Sequence, residues 1–181
     1  DIIKLRIRPP TKLSDEFFIY LDKFNKTTGN VLLDGYWQNY KYYENYKKTI
    51  AEIFTFPENK SKKNKEMISR IKECQSVAVH VRRGDYVNVK KTNDFHGIAT
   101  LEYYKSSITR MGKKVNKPHY FVFSDDLKWC KKTLDFNNET TFVDFNKGKN
   151  SFEDMCLMTL CKHNIIANSS FSWWGAWLNQ N

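Results

Sequence analysis

The chain has 181 residues, enough for one large hydrophobic core or two small ones, and a formal net charge of +10. It shows no apolar stretch of membrane-spanning length and no secretory signal, which argues against a transmembrane or secreted protein. Its lysines are spread along the sequence, which indicates a solvated basic surface rather than a nucleic-acid site and leaves attraction to an anionic small molecule or membrane surface open.

The first part of the chain predicts little regular structure. Residues 31–33 form an apolar run that ends before Gly35 and predicts a short strand. Apolar residues then recur at helical spacing over 43–54, just before a proline that should end the helix. Residues 58–72 are strongly charged and predict a connector. We therefore expect a partly helical N-terminal region and connector over residues 1–72.

Strand-like and helix-like segments alternate after residue 72. Four apolar runs predict strands, and apolar residues at 3.6-residue spacing predict helices after them. The predicted strands are residues 77–81, 120–123, 141–143 and 164–167, and the predicted helices start near residues 101, 127, 152 and 170. Ser151, with Asp154 three residues later, is a capping signal for the third helix. Repeated strand–helix units predict an α/β fold, with a parallel sheet over residues 73–181.

Polar side chains follow three of these strands. They are His80, Arg82, Arg83 and Asp85 after the first strand, Ser124, Asp125 and Asp126 after the second, and Asn168, Ser169 and Ser170 after the fourth. Because parallel sheets bind ligands beyond the carboxyl ends of their strands, these three groups should meet in one crevice.

The residue types in this crevice suit a nucleotide sugar. Arginine presents a permanently charged fork that matches phosphate oxygens. A serine-rich turn at the start of a helix offers hydroxyl and backbone N–H donors, and an aspartate can accept two hydrogen bonds from a guanine edge. The sequence has no P-loop and no G-x-G-x-x-G after a strand, which argues against ATP-type phosphoryl transfer and dinucleotide binding.

Other roles stay open for several residues. Asp126 could cap the helix that follows it, and His80 could be a core histidine with satisfied hydrogen bonds. The tryptophans of the last helix fit core packing better than sugar binding, and Gly175 between them would let that helix approach the sheet closely. The four cysteines lack zinc-site spacing, which indicates reduced core thiols and a cytoplasmic protein.

Three segments, in this order, resemble the alpha-1,2-fucosyltransferase family: "VAVHVRRGDYV", "YFVFSDDLKWC" and "CKHNIIANSSFSWWGAWL". "LLDGYWQNYKYY" resembles the segment that precedes them in that family. The resemblance implies a GT-B architecture with a Rossmann-like donor domain, GDP-fucose as donor, a galactose-type acceptor, inversion at the fucose anomeric carbon, and no metal or other cofactor. The family's N-terminal G-G-L-G-N-Q motif and its segment after the tryptophan-rich helix are not found, so we expect an incomplete acceptor half.

The resemblance also implies roles for residues in these motifs. Arg82 and Arg83 would clamp the diphosphate, Asp125 or Asp126 would hold the guanine, and Asp85 would act in catalysis or orient the arginines. In this site, Ser169, Ser170 and Ser172 would bind the phosphates. The full set of implied donor-site residues is His80, Arg82, Arg83, Ser124, Asp125, Asp126, Asn168, Ser169, Ser170, Phe171 and Ser172.

The two arginines should not be equivalent. If the strand continued through them, alternation would send their side chains to opposite sides, and one at most would face the diphosphate. By the family resemblance we favour Arg82, which lies two residues on from His80 and so on the same side, as the phosphate ligand. We expect Arg83 to pair with a carboxylate, with Asp85 the nearest candidate.

Two other functions fit the same residues. One is a non-catalytic module that binds nucleotides or polyanions through its basic surface, with an affinity that falls steeply with salt. The other is a glycosyltransferase with another nucleotide-sugar donor, which would keep the arginines and change the sugar pocket.

Overall fold

The computed structural model describes residues 10–14, 19–58, 61–84, 87 and 97–181. The chain divides into two compact units, one that ends at Thr55 and one that begins at Phe56. Within these described ranges, every helix is too short or too polar to cross a bilayer.

The first unit contains the short strand and the helix that the sequence predicts. Its elements are the strands β1 (Thr11–Ser14) and β2 (Val31–Asp34), 3-10 turns at Tyr40–Tyr42 and Glu44–Tyr46, and the helix α1 (Lys47–Ile53). The two strands pair in parallel along their whole length. The helix begins later than predicted, because the 3-10 turns take up the start of the apolar pattern.

Aromatic packing organises this unit. Tyr42 is buried, and its ring lies 4.8 to 5.1 Å from the rings of Tyr20, Phe24 and Trp37. Its hydroxyl oxygen accepts the backbone N–H of Leu21 at 2.9 Å. Aromatic pairs of this kind stabilise a small core beyond the area that they bury.

The second unit is the predicted α/β sheet. Its strands are β3 (Gln75–Val81), β4 (Pro118–Ser124), β5 (Thr140–Val143) and β6 (His163–Ile165). Its helices are α2 (Lys62–Glu73), α3 (Leu101–Lys114), α4 (Leu127–Thr133), α5 (Phe152–Leu160) and α6 (Ser170–Trp177). The strands pair in parallel in the order β5–β4–β3–β6, which confirms the parallel sheet.

Helices cover both faces of this sheet, as its continuous apolar strands require. Alternate residues of β3 enter two separate core clusters. One cluster includes Val77, Val79 and Val81 with Tyr104 and Ile108 of α3 and Cys130 of α4. The other includes Ala78 with Ile71 of α2 and Leu157 and Met158 of α5.

The prediction of a charged connector over residues 58–72 is wrong from Lys62 onward, where the chain forms α2. Asn64, Met67 and Ile71 are buried at helical spacing. These buried positions are few and stand among lysines, so the sequence shows little hydrophobic periodicity here. Lysine and glutamate are themselves good helix formers, which favours the helix.

The close approach predicted for Gly175 is present, but its neighbour is a helix. A Cβ atom there would lie 3.1 to 3.4 Å from side-chain atoms of Met158 in α5. The tryptophans of α6 pack on one another: Trp173 stacks on Trp177 and meets Trp174 edge-on, with 5.1 Å between centroids in both pairs.

Candidate functional site

The carboxyl ends of β4, β3 and β6 are adjacent, because these strands are parallel neighbours in the sheet. The polar groups that follow them therefore lie along one edge, as the sequence predicts. β3 ends at Val81, so Arg82 and Arg83 both lie in the turn after the strand. Strand alternation consequently does not separate their side chains.

Asp125 connects this turn to β4. Its Oδ2 lies 3.0 Å from Nη1 of Arg82, and its Oδ1 accepts the backbone N–H of Arg83 at 2.9 Å. A Cβ atom on Gly84 would lie 2.6 Å from Asp125 Oδ2. A side chain at position 84 would therefore displace the carboxylate from this position.

Asp126 caps α4, which confirms the capping interpretation. Its Oδ1 accepts the backbone N–H of Trp129 at 3.0 Å, and its own N–H donates to Ser124 Oγ at 2.9 Å. Its Oδ2 lies 3.4 Å from Arg83 Nε. Since both oxygens of Asp126 and of Asp125 have protein partners, the guanine contact of either residue stays a prediction.

The two arginines have different surroundings. The Arg83 guanidinium lies 4.0 Å from the centre of the Trp129 ring, and the Arg83 side chain is 21% exposed. The Arg82 side chain is 36% exposed. The carboxylates found beside them are Asp125 and Asp126, whereas Asp85, proposed for that role and for catalysis, lies outside the described residues.

His80 lies at the end of β3 with 7% of its surface exposed. Burial lowers its pKa to about 4, so the ring is neutral at pH 7. Its ring centre lies 5.4 Å from that of Phe171 in α6. Its Nδ1 is buried and has no hydrogen-bond partner among the described residues. His80 is thus buried, as a core histidine would be, but its hydrogen bonds are not all satisfied.

The turn between β6 and α6 supplies the predicted serines. Ser169 precedes the first helical residue, and its side chain makes no capping hydrogen bond. Ser170 opens the helix and is exposed. Ser172 is fully buried, and its single hydroxyl hydrogen is within reach of the carbonyl oxygens of Ala167 and Ser169, each 3.2 Å from Oγ, which favours a structural role. Asn168 donates to the Gly97 carbonyl at 2.9 Å and secures the turn.

The sequence does not predict a polar network beyond the end of β5. Asn146 and Asn64 exchange two side-chain hydrogen bonds of 2.9 Å, and Asn146 Nδ2 also donates to Asp154 at 2.8 Å. Burial raises the pKa of Asp154 to about 7. The side chain of Ser151 makes no cap, so the predicted capping pair is wrong as a side-chain contact. In the sequence, the feature that could have indicated this network is Asn146, which lies three residues after the end of β5.

This edge of the sheet combines permanent positive charge with hydrogen-bond donors and the neutral ring of His80. Two guanidinium groups, the N-terminus of α6 and the serine hydroxyls suit a diphosphate. Within the described part of the chain, no group of three or more His, Cys, Asp or Glu side chains is placed to hold a metal ion. The expected metal independence stays untested.

Comparisons of the sequence with known proteins find a glycosyltransferase family and several similar glycosyltransferases. The model of a family described as glycosyl transferase family 11 matches residues 11–181. Over 164 residues the chain is 44% identical to an alpha-1,2-colitosyltransferase of Escherichia coli, covering 88% of this chain and 55% of that protein. It is 40% identical to the O-antigen biosynthesis glycosyltransferase WbnK of Escherichia coli over 108 residues, 59% of this chain and 35% of that protein.

A mammalian protein is also similar. The chain is 26% identical to a galactoside 2-alpha-L-fucosyltransferase of Bos taurus over 154 residues, which are 82% of this chain and 42% of that protein. No solved structure matches the chain. The chain spans about half the length, or less, of these curated relatives.

Proposed function

This chain belongs to glycosyltransferase family 11, and we propose that it carries the donor site of an inverting enzyme that transfers L-fucose from GDP-fucose to the 2-hydroxyl of a galactose-type acceptor. We assign a GT-B architecture, with the donor bound by the sheet unit, which begins at Phe56 and so includes α2, and the acceptor bound by the unit that ends at Thr55. The observation that carries this proposal is the sheet edge where Arg82, Arg83 and His80 converge.

Departure of GDP is the step that this edge would assist. A fucosyl transition state is oxocarbenium-like, as in glycoside hydrolysis, so negative charge grows on the leaving diphosphate. Guanidinium groups already fixed at that position stabilise the charge without reorganising. Because this stabilisation needs no metal ion, we propose a metal-independent reaction, which chelation with EDTA should leave unchanged.

Arg82 is our choice for the direct phosphate ligand. Arg83 is held by an aromatic ring and a carboxylate of α4, whereas the Arg82 side chain is the more exposed of the two. We place the phosphates against Ser169, Ser170 and the first backbone N–H groups of α6.

His80 is our candidate for a contact beside the nucleotide. Its buried Nδ1 has no described hydrogen-bond partner. Burying such an atom without a partner costs free energy, so a ligand that forms a hydrogen bond with it should bind more tightly. The guanine contact is assigned to Asp125 or Asp126 on the family resemblance alone. Asp85 keeps its two candidate roles, as a catalytic group or as a partner of the arginines.

We also propose a cytoplasmic enzyme with peripheral contact to an anionic membrane surface. The four cysteines are free thiols, which fits a reducing compartment. The outer face of α3 carries the exposed basic residues Lys105, Arg110, Lys113 and Lys114 beside Glu102. Basic side chains near an anionic surface are attracted within a Debye length.

Donor titration tests the proposal. Isothermal titration of the full-length protein with GDP-fucose, GDP-mannose and UDP-glucose should give the tightest binding for GDP-fucose. Tighter binding of UDP-glucose would refute the proposed donor. The resemblance to a colitosyltransferase makes a colitosyl donor the second candidate, and product analysis with both donors and a panel of galactosides would separate the two.

A further inference from the structure

We infer that Trp129 is a positioning residue of the diphosphate clamp: its indole ring holds the Arg83 guanidinium and thereby fixes the turn that presents Arg82. This inference rests on the proposed function, since it assigns a role within the same donor site. Trp129 lies inside α4 rather than at the end of a strand, so the rule that locates ligands in parallel sheets does not point to it.

The contact between Trp129 and Arg83 is close. The guanidinium carbon lies 4.0 Å from the ring centre, whereas Lys131 lies 5.2 Å from the ring of Phe142 in the same core cluster. Tryptophan is the strongest aromatic partner for a cation, and partial removal from water strengthens the attraction. The Arg83 side chain is 21% exposed, so both conditions hold.

A second contact fixes the guanidinium at its edge. Nε of Arg83 lies 3.4 Å from Asp126 Oδ2, while Oδ1 of the same carboxylate accepts the backbone N–H of Trp129. The ring and the carboxylate therefore belong to one helical turn, and each has a fixed position relative to the other. Arg83 is held on its face and at its edge by a single preformed unit.

The position of Arg83 is passed on to Arg82 through Asp125. The Arg83 backbone N–H donates to Asp125 Oδ1 at 2.9 Å, and Asp125 Oδ2 lies 3.0 Å from Arg82 Nη1. The carboxylate of Asp125 occupies space that a side chain at Gly84 would fill. When the ring is removed, Arg83 loses its fixed position, and the carboxylate that orients Arg82 loses one of its supports. Small errors in the position of a charged ligand are costly for binding and for rate.

The test compares Trp129→Leu and Trp129→Phe with Phe142→Leu in the full-length protein. Phe142→Leu removes an aromatic face under Lys131, a cation of the same helix, and Phe142 packs against the same core cluster from β5. Titration with GDP and the thermal midpoint are measured for all three. We expect Trp129→Leu to weaken GDP binding about tenfold and Trp129→Phe about threefold. Phe142→Leu should lower the midpoint while leaving GDP affinity within about twofold of wild type.

A spectroscopic signal reports the contact without GDP. The Nε–H proton of Arg83 should show an upfield ring-current shift in NMR spectra, which Trp129→Leu removes and Trp129→Phe retains in part. A Trp129→Leu variant that binds GDP as tightly as wild type overturns the inference. If that variant does not fold, unchanged GDP affinity in Trp129→Phe overturns it instead. Failure of the wild-type protein to bind GDP would refute the proposed function, and the NMR shift would still show whether the ring holds Arg83.

Discussion

Arg82 and Arg83 are neighbours in the sequence but should respond differently to the same substitution. Lysine keeps the charge and loses the planar fork, so Arg82→Lys should lower kcat/KM for the donor about tenfold to a hundredfold, with little change in thermal midpoint. Arg83→Lys keeps a cation near Trp129 but weakens a packed contact. It should cost mainly thermal stability and lower GDP affinity by no more than the roughly threefold expected for Trp129→Phe. Near wild-type turnover in both variants would show that the clamp lies elsewhere.

Gly84 gives a second test at this scale. An alanine Cβ would lie 2.6 Å from Asp125 Oδ2, so Gly84→Ala must displace the carboxylate that contacts both arginines. The displaced carboxylate loses its hydrogen bond to the Arg83 N–H and its contact with Arg82, which should cost about 1–3 kcal/mol, and GDP affinity should fall with it. Gly112→Ala is the matched control, because its nearest neighbour would be 3.7 Å away. That change should stabilise α3 by about 0.5–1 kcal/mol. Equal GDP affinity in both variants would contradict the role given to Asp125.

At the scale of helices and strands, patterns read along the chain locate some features and miss others. The four strands of the sheet are predictable, because strands covered on both faces are continuous apolar runs. The strand-end arginines and serines follow from the same rule. α2 and the contacts of Trp129 and Asn146 are not predictable in this way. They depend on which helix packs beside which loop, and that is decided by tertiary structure.

The Asn64–Asn146–Asp154 network joins α2, the segment after β5 and α5, and should make their packing sensitive to pH. Burial raises the pKa of Asp154 from 3.8 to about 7. Between these values the folded chain holds a proton that the unfolded chain releases, so stability should fall as pH rises from about 4 to 7 and level off above that range. Asp154→Asn resembles the protonated form and can still accept from Asn146.

Thermal midpoints at pH 5 and pH 8 test this assignment. Asp154→Asn should be more stable than wild type at pH 8, by at least about 1 kcal/mol, and close to wild type at pH 5. Asp144→Asn changes an exposed carboxylate on the same segment and should leave the pH dependence unaltered. Parallel pH curves for wild type and Asp154→Asn would show that Asp154 does not carry the effect.

At the scale of the whole molecule, the net charge of +10 is compatible with an enzyme that binds one nucleotide sugar and with a module that binds polyanions. Salt separates the two. A polyanion site that releases six to ten counterions loses about 10³- to 10⁵-fold in affinity between 50 and 200 mM salt. A site built from two arginines and one helix N-terminus contacts two phosphates and should lose less than about tenfold over that range. It should also prefer GDP to ADP if Asp125 or Asp126 contacts the base as proposed, because a carboxylate there would select guanine. Titrations with GDP, ADP and heparin at both salt concentrations measure this directly. Equal affinity for GDP and ADP, together with a steep salt dependence, would favour the polyanion-binding module over the fucosyltransferase.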